Sequence, residues 1–197
     1  ATSSKQTADY SVISVWAYDQ YGKWHWVDGV CERQQMNKTM NDLFKFAQEY
    51  EPQGVGIEIS GQQGGFIPWI MSEMDNRGVY FNLTHEKGKP GIRPTTDKLT
   101  RFNLVVPLFK AGKIYFPTEM KQTKTLGLFM EQISLTTHDG LMGKDDCIDT
   151  ISMLTNMNPW KPNPDEPIEQ SAVSTHDSIW GTETDMNEEV GMAAYIV

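Results

Sequence analysis

Hydrophobic and polar positions alternate over residues 10–18, YSVISVWAY, and again over 24–32, WHWVDGVCE, with DQYGK between them. A period of two on both sides of a Gly-bearing turn predicts an antiparallel β-hairpin. The period then lengthens. Met36, Met40, Leu43, Phe44 and Ala47 recur at helical spacing, predicting a helix over 36–50 that Pro52 and Gly54 end. GVGIEIS (54–60) is nearly all apolar, as a strand inside a sheet should be. Residues 64–78 form a second helical pattern, with Pro68 early and Gly78 just past its end, and 79–85 reads as another strand.

The basic, Gly- and Pro-rich stretch 86–101 predicts a long exposed loop that runs into a helix over 96–112. Residues 113–117 then suggest a short strand, and 124–137 and 145–157 two closing helices. The order ββ-α-β-α-β-α-β-α-α defines an α/β fold with a mixed sheet, its hairpin antiparallel and its later strands reached by helical crossovers. No internal repeat is present.

Composition sharpens this picture in three ways. A chain of 197 residues, 39% of them hydrophobic, can bury one core, which we divide as a folded domain over 1–161 and a tail over 162–197. It contains no run of 18 apolar residues, and ATSSKQTADY lacks the basic-then-apolar order of a signal peptide, so no membrane association is expected. Cys31 and Cys147, the only cysteines, both sit among apolar neighbours and read as reduced, buried thiols. The formal charge of −9 argues by itself against a nucleic-acid partner. Residues 162–197, however, contain eight Asp and Glu and no Lys or Arg, so the preceding 161 residues are close to neutral.

Two groups of carboxylates stand out. Glu58 lies in the middle of VGIEIS, where an ionised side chain is costly unless paired or bound to a metal. A salt bridge to Lys or Arg is one reading; a ligand site at the end of a strand entering a Gly-rich turn is the other. The second group is GKDDCIDTISML, in which Cys147, Ile148, Ile151 and Leu154 define the buried face of a helix. Capping its N-terminus needs Asp145 or Asp146 but not both, and not Asp149 one turn later. Asp146 and Asp149, three apart, share a face. A capped, solvated helix start explains them blandly. An oxygen-rich metal cluster, favouring Mg²⁺ or Mn²⁺ over zinc, is the functional alternative. Lys87, Lys89, Arg93, Lys98 and Arg101 form the one dense basic stretch, either a solvated loop or an arm that holds DNA by its phosphates. The four histidines, His25, His85, His138 and His176, have no metal-ligand spacing and read as structural, with His85 close enough to a strand end to line a cleft. Trp16, Trp24 and Trp26 read as core and cross-strand pairs.

Four separated stretches resemble the C-terminal nuclease domain of tailed-phage terminase large subunits. They are TADYSVISVWAYDQYGKWHWVDG, VGIEISGQQGG, DKLTRFNLVVPLFKAGKIYFP and GKDDCIDTISM, in that order. The third matches a K-x-x-R…P-L…G-K-hydrophobic-x-P pattern through Lys98, Arg101, Pro107, Leu108, Gly112, Lys113 and Pro117. The resemblance implies an RNase H-like mixed sheet with an antiparallel hairpin, flanked by helices on both faces. It implies a two-metal-ion endodeoxyribonuclease that cuts concatemeric double-stranded DNA during viral genome packaging. Glu58, Asp145 and Asp146 would be catalytic and hold two Mg²⁺ or Mn²⁺ ions, with Asp149 and Lys144 supporting them and Lys87, Lys89, Arg93, Lys98 and Arg101 binding DNA. The implied partners are double-stranded DNA, a packaging ATPase domain normally on the same chain, the portal and the small terminase subunit; the implied location is the host cell cytoplasm.

Departures from the pattern are also visible. The family's first catalytic aspartate lies on a strand ahead of the hairpin, and is expected upstream of Ala1 rather than at Asp9. Lys144 stands where many relatives have His, and no G-x-x-x-x-G-K-[ST] phosphate loop occurs. Two other readings remain from residues alone: a non-catalytic module docking to portal or motor, and a different RNase H-like nuclease such as a resolvase or an RNase H.

Overall fold

In the computed structural model, which describes residues 10–59, 65–137, 140–141, 143–162 and 192–197, a five-stranded sheet divides the hydrophobic residues into two cores. The alternating hairpin forms as its pattern requires: β1 (Ser11–Asp19) pairs antiparallel with β2 (Trp24–Glu32), with a register shift between Val15 and Trp16. The 36–50 periodicity becomes α1 (Met36–Tyr50), closed by Glu51 in the left-handed region. β3 (Gly54–Val55) follows, then α2 (Phe66–Arg77), which Gly78 ends with φ 63°.

The stretch expected to be one long loop contains a tight hairpin instead. β4 (His85–Glu86) and β5 (Lys89–Pro90) are joined by Lys87 and Gly88, with φ 50° and 76°. Positive φ at both central residues gives a turn whose twist suits paired strands, and Lys-Gly carries too weak a sequence signal to announce it. The strand expected over 79–85 reduces to a bridge from Leu83 to Val55 and to the first residue of β4. The helix expected over 96–112 is broken into α3 (Lys98–Asn103) and α4 (Val106–Lys110), because Pro107 cannot continue the hydrogen-bond ladder and is accommodated only in a first turn. β6 (Ile114–Tyr115), α5 (Lys124–Leu135), the β7 (Thr136–Thr137) and β8 (Gly140–Leu141) pair, and α6 (Asp146–Met153) with a 3₁₀ turn at Leu154–Asn156 complete the order to that point.

The final element is β9 (Met192–Ile196), inside the segment read from sequence as tail. Sheet order is β3-β9-β1-β2-β6, so these last residues occupy an interior position. β9 runs antiparallel to β1, from Val15 opposite Ile196 to Asp19 opposite Met192, and parallel to β3. Ser14 and Val197 exchange both backbone hydrogen bonds, at 2.6 and 2.9 Å. The remainder of the expected acidic tail, residues 163–191, lies outside the described residues, as do Asp9, the Gly-rich turn at 60–64, His138 and His176.

Helices cover both faces of this mixed sheet. One core joins Trp16, Trp24 and Trp26 to Phe102, Phe129, Ile148, Ile151 and Leu154, from α3, α5 and α6. The other joins Ile13, Val15 and Ala17 to Met40, Phe44 and Ile70, from α1 and α2. β9 serves both, with Ala193 and Tyr195, followed by Val197 just past its end, on the first face and Ile196 on the second. Among the described residues no helix is long and apolar enough to cross a membrane.

Candidate functional site

Glu58 reaches the surface because two glycines let the chain around it pack closely. The strand expected over 54–60 is regular only at Gly54–Val55; beyond it, residues 57–59 are pinned by a parallel bridge between Glu58 and Ile92. Ile59 N–H donates to Ile92 O and Ile92 N–H to Ile57 O, both at 2.8 Å, so the Glu58 side chain stays free for other partners. A Cβ at Gly56 would lie 2.6 Å from Met157 Sδ and 3.0 Å from Val197. Gly91, at φ 89°, lies against Ile59 where no side chain would fit. The hairpin carrying Lys87 and Lys89, and Arg93 beside Ile92, are thereby fixed next to Glu58; Arg93 N–H donates to Glu86 Oε2 at 2.7 Å.

The aspartates arrive on α6. Its N-terminus is held from outside: Gln132 Oε1, on α5, accepts from Cys147 N–H at 2.8 Å. Asp145 occupies the cap position yet makes no side-chain cap bond, so the bland reading does not describe it. Its carboxylate instead accepts from Lys98 Nζ at 2.8 Å. Asp146 Oδ2 accepts from Tyr10 N–H at 3.2 Å, fastening the start of β1 to the helix. Asp146 and Asp149 both lie in the first turn, where the helix dipole favours negative charge.

α3 supplies the cations that gather these acids. Asp97 caps the helix, accepting from Thr100 N–H at 2.9 Å, and Lys98 and Arg101 at i and i+3 then share a face. Lys98 Nζ lies 2.8 Å from Asp145 and 2.7 Å from Asp149. Arg101 spans Asp149 at 2.8 Å and Glu58 at 3.1 Å. Glu58, Asp145 and Asp149 therefore come together through two cations, and Asp149, expected to stand behind the others, is at the centre. Lys98 and Arg101, expected on the DNA arm, face these carboxylates, whereas Lys87 and Lys89 lie on the adjacent hairpin. Lys144, the other expected supporting residue, sits over the Tyr10 ring, 5.1 Å from its centroid. The K-x-x-R spacing on a capped helix was the sequence signal for a shared face; Gln132 and Tyr10 had none.

Electrostatics follow from partial burial. Burial pushes the Asp149 carboxyl above the ordinary carboxylate value, and nearby Glu58 adds to this, while Lys98 and Arg101 pull the other way. Burial works against the charge on Lys98 too, but hydrogen bonds to Asp145 and Asp149 hold its ammonium above the ordinary lysine value. The lysine reports the attraction within the pair and the aspartate the cost of burying charge; together they describe a cluster that requires positive charge. Arg101 Nε is buried without a partner among the described residues. The donors are all oxygens, the chemistry of a hard divalent ion. As arranged around the two cations, no three His, Cys, Asp or Glu among the described residues form a group placed to hold a metal.

The thiols lie beside the cluster. Cys31 and Cys147 are free and buried, with sulfurs 3.5 Å apart, and contact with Cys31 together with burial pushes the Cys147 thiol far up. His85 is exposed and bonds to Leu83 O at 2.7 Å through Nδ1.

A family model described as a terminase RNaseH-like domain matches residues 1–158. No curated protein matches the chain.

Proposed function

The chain belongs to the terminase RNase H-like domain family, and on that premise we propose that it is a metal-dependent endonuclease domain cutting concatemeric double-stranded DNA during genome packaging. The observation that carries this reading is the half-buried cluster of Glu58, Asp145 and Asp149 beside the Lys87–Lys89 hairpin, held together by Lys98 and Arg101. Such a concentration of acid is expensive as mere scaffolding and is the donor set that Mg²⁺ or Mn²⁺ prefers.

Glu58, Asp145 and Asp146 would hold the ions, and Asp149 would fix Lys98 and Arg101, which bridge it to Asp145 and Glu58. Divalent ions held there would supply Lewis acidity for activating a water and stabilising the leaving 3′ oxygen. The chain's own residues do the rest. Lys98 and Arg101 neutralise the carboxylates before substrate arrives, and both can turn toward a phosphate once that charge is otherwise met. Lys87, Lys89 and Arg93 hold the duplex backbone next to Glu58 without reading its sequence. Packaging ATPase, portal and small terminase subunit, met in the host cytoplasm, complete the setting that this reading implies.

The test is nicking of supercoiled plasmid with Mn²⁺ and with EDTA. Wild type nicks only with the ion, and Glu58→Gln and Asp146→Asn each lower the rate by at least about 100-fold, the scale of losing a transition-state interaction. Wild type that binds DNA but never nicks points to the docking module; a preference for RNA–DNA hybrid points to an RNase H.

A further inference from the structure

A second basic feature lies at the opposite end of β1. Tyr10, at the start of the strand, touches Asp146, whereas the turn into β2 follows Asp19, nine residues or about 30 Å away. That turn is rigidly built. The carboxylate of Asp19, itself buried, accepts from Tyr21 N–H at 2.9 Å, from Lys23 N–H at 2.8 Å and pairs with His25 Nε2 at 2.9 Å. Its oxygens are thus engaged inside the turn.

Outside it, three lysines converge. Lys23 Nζ lies between two exposed tyrosines, 5.7 Å from the Tyr21 ring centre and 5.2 Å from that of Tyr115. Lys113 Nζ donates to Tyr21 O at 2.7 Å. Lys161 arrives from distant sequence, its Nζ 3.6 Å from where a Gly22 Cβ would lie. None of the three pairs with a carboxylate among the described residues, whereas Lys38, Arg77, Lys98, Arg101 and Lys124 all do. In a chain of charge −9, three ammonium groups without a carboxylate partner among the described residues, gathered around one fixed turn, make a local positive field that the net charge conceals.

We propose that the β1–β2 turn, through Lys23, Lys113 and Lys161, is a second contact for the phosphate backbone of duplex DNA, an inference that rests on the DNA-cleaving reading above. Backbone contact fits better than base stacking, because the ring faces are already occupied: Lys23 covers both tyrosines, and His25 stacks on Tyr115 with centroids 5.1 Å apart. At 3.4 Å per base pair, the 30 Å separation corresponds to roughly nine base pairs from the carboxylates. Two contacts that far apart fix the direction of the duplex across the domain, which one arm beside Glu58 cannot.

The experiment titrates duplex DNA of about 20 base pairs at several salt concentrations against wild type, a triple Lys→Ala variant at Lys23, Lys113 and Lys161, and the matching triple Lys→Arg variant. The alanine variant should bind at least tenfold more weakly at low salt. Its salt slope should be shallower by nearly three, at about 0.9 per lost phosphate contact. The arginine variant should bind as wild type does, with unfolding midpoints unchanged throughout. On a duplex of about six base pairs, too short to bridge the two contacts, the alanine variant and wild type should bind equally. Unchanged affinity and slope in the alanine variant overturn the proposal, and so does failure of arginine to restore binding. Polyglutamate binding that the alanine variant alone loses, with DNA binding intact, would assign the patch to an acidic polypeptide and overturn it as well. Wild type that binds no duplex at all refutes the DNA-cleaving reading itself, a result distinct from each of these.

Discussion

Arg101 satisfies Glu58 and Asp149 at once from a side chain only 14% exposed, so its removal strands Glu58 in a half-buried site and leaves Asp149 to Lys98 alone. Breaking a buried pair on one side costs more than the pair contributes, because the remaining charge keeps its desolvation penalty. Arg101→Met should therefore destabilise the domain by about 2–3 kcal/mol, below the roughly 3–5 kcal/mol of a fully buried pair because solvent reaches the cluster. Adding Glu58→Gln should recover most of that loss, since the second change removes the stranded charge. Urea denaturation of the single and double variants checks this. Equal losses in both would show that Arg101 acts through packing alone.

At the scale of elements, β9 has consequences out of proportion to its five residues. From sequence, everything after Pro162 resembles an acidic appendage whose deletion should spare the fold. With β9 between β3 and β1, that deletion would instead detach β3 from the sheet, bare one edge of β1 and expose both cores. Ile196 is 1% exposed in the core of α1 and α2. Ile196→Ala should cost about 2–4 kcal/mol, and a chain ending at 191 should lose its cooperative transition and its resistance to limited proteolysis. A truncated chain as stable as wild type would remove β9 from the account of the fold. Gly56 belongs to the same argument, because the close approach of Met157 and Val197 there is what sets Glu58 at the edge of the site.

Among the described residues two cores flank the five-stranded sheet, and that geometry fixes how the molecule unfolds. β1 and β9 contribute side chains to both cores, so neither can melt and leave the other covered. Trp16, Trp24 and Trp26 are all buried in the core of α3, α5 and α6, while α1 and α2 supply much of the helix on the opposite face. Tryptophan fluorescence and far-UV circular dichroism should therefore give coincident denaturation curves. Separated midpoints would mean that the two faces fold independently. Charge also reads differently at this scale: eight of the 26 acids follow residue 162, and the β4–β5 hairpin and the β1–β2 turn gather lysines on an acidic chain.

Local pattern decided what local interactions can decide. The β1–β2 hairpin, α1 and the Gly78 end of α2 match their periods and stop signals, because alternation, helical spacing and glycine's freedom at positive φ act within a few residues. Sequence likewise singled out Glu58 and the three aspartates as acids in costly places. Tertiary structure decided who meets whom. That Lys98 and Arg101 face the carboxylates, that Gln132 holds the start of α6, and that Lys161 reaches the turn at Gly22 all depend on contacts across many intervening residues. The placement of Met192–Ile196 is the clearest case. Five residues with strand character can pair at an edge, in a hairpin or inside a sheet, and nothing local distinguishes these. The choice belongs to β1 and β3, whose facing backbone groups both need a partner, and whose two apolar faces need the alternating side chains that β9 brings.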